Sequence, residues 1–92
     1  MDKEINEILK NIENTISTHP VPKPDESAIS LISLYCEQLY PYTTYVGEKA
    51  DNIKILAEKY YSNKKHSGKP EEVKALILSH INTIKSFLEG NI

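Results

Sequence analysis

Apolar residues recur along this chain with the period of α-helices, in four separate stretches. In the first, Ile5, Ile8, Leu9, Ile12 and Ile16 fall at the i, i+3, i+4, i+7, i+11 spacing of one helical face. Glu7, Lys10, Asn11 and Asn14 fill the other side. A one-sided helix over about 2–17 follows, with Asp2 as a candidate cap and Glu4 and Glu7 suited to the positive end of its dipole.

Residues 18–24 read Thr-His-Pro-Val-Pro-Lys-Pro. Prolines at alternate positions hold their predecessors out of the α region, so helix is excluded. An extended polyproline-like connector of this length reaches roughly 20 Å, far enough that the first two helices need not be neighbours. It lacks Pro-x-x-Pro, and a stiff connector is favoured over a docking peptide.

The second helix is expected over 26–40, capped by Asp25 or Ser27. Its face is Ala28, Leu31, Ile32, Tyr35, Cys36 and Leu39, with Ile29 and Tyr40 widening one flank and Leu34 off the face. So wide an apolar surface marks a central element or one covered by a partner. Pro41 ends this helix. Thr43 or Thr44 then caps a third over 44–62, whose face is Val46, Ala50, Ile53, Leu56, Ala57 and Tyr60. The short connection predicts an antiparallel hairpin. The rival is one long helix kinked at Pro41, which gives three helices in place of four.

Residues 63–69 are polar, contain Gly68, and read as a lysine-rich loop. Pro70 followed by Glu71 and Glu72 starts a fourth helix over 70–89. Its inward set is Val73, Leu76, Ile77, Ile81, Ile84, Phe87 and Leu88, and Gly90 suits a left-handed C-terminal cap. The fold class is therefore all-α, a small four-helix bundle forming one domain over 1–92. In size and helical plan alone, with no shared motif, it resembles bacteriocin immunity proteins.

Composition narrows the chemistry. Hydrophobic residues at 39% and charged residues at 26% describe a globular chain rather than a disordered one. At 92 residues, a stability of about 5–14 kcal/mol is expected. Met1-Asp2-Lys3-Glu4 is charged and leads into an amphipathic segment, a pattern unlike a secretory signal. No apolar run is long enough for a bilayer, so a cytoplasmic location is expected. The single cysteine, Cys36, precludes an internal disulfide and leaves no paired spacing for zinc.

The charged residues are 11 basic against 13 acidic, and every basic one is lysine. Without arginine's bidentate fork, sequence-specific nucleic-acid reading is disfavoured. One basic cluster exists: Lys59, Lys64, Lys65, His66 and Lys69, interleaved with Tyr60 and Tyr61. Its functional reading is a grip on a phosphate backbone or acidic surface, and its plainer reading is a solvated loop.

Of the three histidines, His19 and His66 fall in connecting segments. His80 falls between Val73, Leu76, Ile84 and Phe87, where a buried neutral imidazole is expected. Helical phosphorelay bundles place a lysine three residues after their phosphate-accepting histidine and a glycine after that. Here Thr83 and Ile84 occupy those positions, so the motif fails. A Cys36–His80 nucleophile pair has no flanking signature. No cofactor, metal ligand set or small-molecule substrate is expected.

The most distinctive cluster is aromatic. Tyr35, Tyr40, Tyr42 and Tyr45 bracket Pro41, and tyrosine is enriched in interface cores. Tyr35 and Tyr42 suit closing one end of the bundle, and either Tyr40 or Tyr45 is expected to be exposed. Leu34, Ile55 and Leu78 are each off the inward face of their helix, and would matter if two or more converged. These residues suggest a non-enzymatic protein that binds a protein partner or itself: an inhibitor, an immunity or antitoxin-like protein, or an adaptor. The candidate partner-binding set is Leu34, Tyr40, Tyr42, Tyr45, Ile55 and Leu78. The alternative is a nucleic-acid or acidic-surface binder using Lys59, Lys64, Lys65 and Lys69.

Overall fold

A computed structural model of the chain describes residues 2–62 and 69–90, and within them every regular element is helical. The helices are α1 (Asp2–Thr18), α2 (Glu26–Leu39), α3 (Thr44–Tyr60) and α4 (Pro70–Leu88). Each packs on the next in the chain, and α4 closes the ring against α1, while neither diagonal pair makes contact. The result is a four-helix bundle measuring 37 × 22 × 20 Å.

One core runs down the middle. It takes Ile5, Leu9, Ile12 and Ile16 from α1, Ala28, Ile32, Cys36 and Leu39 from α2, Val46, Ala50, Ile53, Ala57 and Tyr60 from α3, and Val73, Ile77, Ile81 and Ile84 from α4. Complete burial of each large aliphatic chain contributes about 1.5–3 kcal/mol. Thr15, inside this core, satisfies its hydroxyl by donating to the Asn11 carbonyl at 2.8 Å.

The ends follow local chemistry. Asp25 caps α2, its carboxylate accepting from the Ala28 N–H at 3.0 Å. Thr43 caps α3, its hydroxyl accepting from the Val46 N–H at 3.0 Å. Pro70 opens α4 with Glu71 and Glu72 in its first turn. Gly90 closes it at φ 77°, its N–H donating to the Phe87 carbonyl. The expected capping role of Asp2 lies outside the described side chains. Pro41 separates α2 and α3 completely, so the kinked three-helix alternative does not occur.

Three expectations are corrected. The connector is not extended: the Lys23 N–H donates to the Val21 carbonyl at 2.9 Å, folding the chain into a three-residue turn about Pro22. That reversal makes α1 and α2 direct neighbours. Leu76 is not inward but 51% exposed, because the buried stripe of α4 is narrow and Leu76 lies one residue's rotation, 100°, away from Ile77. Finally, α3 stops at Tyr60, two residues short of its expected end. Tyr61 turns away to spend its carbonyl on the Asp25 N–H at 3.1 Å.

Candidate functional site

The outer surface of the α2–α3 hairpin collects the exposed apolar groups of the first candidate set. Two exposed side-chain bonds bridge the helices. Lys54 Nζ donates to Glu37 Oε2 at 3.3 Å, and the Tyr40 hydroxyl donates to Asp51 Oδ1 at 3.3 Å. Leu34 lies about one turn before Glu37 on α2, and Ile55 directly follows Lys54 on α3. Leu34 is 52% exposed, Ile55 48% and Tyr40 40%. The Glu37 carboxylate beside Lys54 raises the lysine's pKa above its ordinary value.

The other three candidates are drawn into the fold. Tyr42 is half-buried and donates to Glu4 Oε2 at 3.2 Å, joining the α2–α3 turn to the start of α1. Tyr45 stacks on Phe87 with ring centroids 4.7 Å apart and an interplanar angle of 28°, while the Lys49 ammonium is 5.5 Å from its ring centre. Leu78 is half-buried and packs against the core. Of the pair Tyr40 and Tyr45, Tyr40 is the exposed one.

The aromatic part of the basic cluster is withdrawn from solvent. Tyr60 and Tyr61 are buried against each other, edge to face at 4.8 Å. Tyr60 donates its hydroxyl to the Pro20 carbonyl at 3.0 Å, and Tyr61 donates to the His19 carbonyl at 2.7 Å. Burial, reinforced by Tyr60 and Asp25, pushes the Tyr61 phenol up to about 12. Neither ring is free to stack on a base. Lys59 and Lys69 are exposed, and Lys64, Lys65 and His66 lie outside the described residues.

The same two tyrosines bring His19 and Asp25 together, a cluster that spacing alone did not suggest. His19 Nε2 stands 4.0 Å from Asp25 Oδ2, and Nδ1 stands 2.9 Å from the Thr15 carbonyl. A carbonyl oxygen only accepts, so Nδ1 carries the hydrogen in this contact. The usable signal in the sequence was the pair of adjacent aromatics just before a loop, opposite a connector whose prolines leave carbonyls without helical partners.

His80 is half-buried rather than enclosed, on the flank of α4 beside α3. Burial and then the nearby Lys49 lower its pKa below the ordinary histidine value. Cys36 is fully buried, and burial pushes its thiol up to about 12. Their helices are a diagonal pair without contact, so the structure does not join them into a nucleophile pair. Among the described residues no three His, Cys, Asp or Glu side chains converge as for a metal ion. No described helix is long and apolar enough to cross a membrane.

Comparison of the chain with protein-family models, with curated proteins and with solved structures finds no match in any of the three.

Proposed function

We propose that this protein acts by binding a protein partner, as a non-enzymatic cytoplasmic inhibitor, immunity or antitoxin-like protein, or adaptor, and that the outer face of the α2–α3 hairpin is the contact surface. One observation carries the reading: Leu34, Tyr40 and Ile55, each at least 40% exposed, stand on two helices packed along a broad seam and bridged by the Glu37–Lys54 and Tyr40–Asp51 bonds. A rigid face bearing a tyrosine and two aliphatic groups presents large contact area with little ordering left to do on binding.

The test uses photo-crosslinking side chains at positions 34 and 55, with position 7 on the exposed side of α1 as control, in the native host. The hairpin positions should capture the same discrete protein, and capture should be lost in Leu34→Lys/Ile55→Lys protein that retains its helical circular dichroism. Equal capture at position 7, or capture unaffected by the double substitution, would overturn the reading. Sedimentation of the pure protein tells a second copy of the chain from another partner. A grip on nucleic acid through Lys59, Lys64, Lys65 and Lys69 predicts the opposite pattern: binding weakened by salt and by Lys64→Ala/Lys65→Ala.

A further inference from the structure

We propose that α1 is a releasable helix, which opens from the bundle as a unit about residues 18–25 and is held shut by a clasp made from Tyr60 and Tyr61. The proposal does not depend on the hairpin face. It rests on how unequally the four helices are held.

Helices α2, α3 and α4 pack in sequence along broad seams, and α3 and α4 form the most extensive one. They are also bridged by the Tyr45–Phe87 stack, while their Glu37–Lys54 and Tyr40–Asp51 bonds are exposed and hold no more strongly than other surface pairs. The α1 helix packs fully only against α2, meets α4 along a much thinner seam, and is diagonal to α3. The side-chain link across the thin seam is Lys85 Nζ to Glu13 at 3.2 Å, with both groups about one-third exposed. A pair so open to water holds weakly. Local opening is expected in the element with the least extensive seams, which here is α1, although its buried face is as apolar as those of the other helices.

The C-terminal end of α1 is where α3 reaches it. The Tyr61 and Tyr60 hydroxyls bind the carbonyls of His19 and Pro20, and the Asp25 N–H returns a bond to the Tyr61 carbonyl. Between these anchors, residues 21–24 are all exposed. Swinging α1 about this segment therefore unburies nothing in the connector itself. Besides its packed face, the bonds that α1 must give up are those of the clasp, the Lys85–Glu13 pair and the Tyr42–Glu4 bond near its start. Once released, α1 offers Ile5, Leu9, Ile12 and Ile16 along one side, the anchor pattern of a helix that binds in a groove.

Native-state hydrogen exchange on the full chain tests this. The slowest amides of α1 should exchange at least tenfold faster than the slowest of α3 and α4, and share one dependence on low denaturant. Tyr61→Phe should speed α1 exchange by a larger factor than that of α3 or α4. Glu13→Gln, at a partly exposed position that leaves the core intact, should also speed α1 selectively, by about twofold to fivefold. If α1 exchanges as slowly as α3 and α4, or if both variants raise all four helices by one common factor, α1 leaves only by global unfolding and the proposal fails.

Discussion

The hydroxyl of Tyr61 donates to the main-chain carbonyl of His19 at 2.7 Å, tying the end of the third helix to the segment that follows the first. The His19 carbonyl lies where the helical ladder has ended, so without this donor it needs water or another partner. Tyr61→Phe keeps the buried ring and removes only the hydroxyl. Stability should fall by about 1 kcal/mol, up to about 3 if the carbonyl stays dry. Urea unfolding would show a lower midpoint with unchanged slope, while native circular dichroism stays the same.

Alkali should unfold the protein in a definite window. Cys36 and Tyr61 both have raised pKa values in the folded state, each to about 12, with burial as the main cause. In the unfolded chain the thiol loses its proton near pH 9 and the phenol near pH 10. Above those values the unfolded state binds fewer protons, so stability must fall as pH rises. The loss begins near pH 9 and ends once the folded groups titrate near 12. Cys36→Ala should shift the onset upward in pH, as read by the pH dependence of the urea midpoint. The buried thiol should also resist a thiol reagent at pH 8 until denaturant is added.

The acid side has a different sign. Burial and Lys49 lower the His80 pKa, so the folded state resists a proton that the unfolded chain accepts. Stability from this residue is present above its unfolded value near 6.5 and is lost as pH falls through the folded one. His80→Gln should flatten the stability profile as pH falls below about 6.5. Proton NMR should place the titration of the His80 ring below that of a free histidine. A midpoint above 6.5 would contradict the burial described for this side chain.

Much of the architecture is legible in the sequence, because it depends on signals local to each helix. The spacing of Ile5, Leu9, Ile12 and Ile16 defined α1, and Pro41, Thr43, Pro70 and Gly90 marked boundaries through backbone chemistry that acts within one turn. The errors arose where a long-range partner decided. The polyproline reading of 18–24 treated the segment as free, whereas two tyrosines about 40 residues away hold its carbonyls. Tyr60 and Tyr61 looked like part of a basic surface because their partners are main-chain atoms, which carry no sequence signature. Leu76 was misplaced because an apolar residue on the flank of a stripe looks like a member of it. The candidate binding face divided for the same reason: nothing local to Tyr45 announced Phe87 across the bundle, whereas the positions of Leu34 and Ile55 followed from their own helices.

Ile32 and Leu34 sit two positions apart on α2 and should respond in opposite ways to substitution. Ile32 is fully buried in the common core, so Ile32→Ala removes methyl groups and leaves a cavity that the surrounding helices fill only partly. The expected loss is about 2–5 kcal/mol, a large fraction of the stability of a domain this small. Leu34 projects into solvent beside Glu37, where a lysine gains a favourable neighbour one turn on. Leu34→Lys should therefore change stability by no more than about 0.5 kcal/mol. Thermal and urea unfolding of the two variants side by side provide the check. A Leu34→Lys loss as large as that of Ile32→Ala would mean that this face is already covered in the isolated protein, for instance by a second copy. Sedimentation of the same sample would then show a dimer that the substitution breaks.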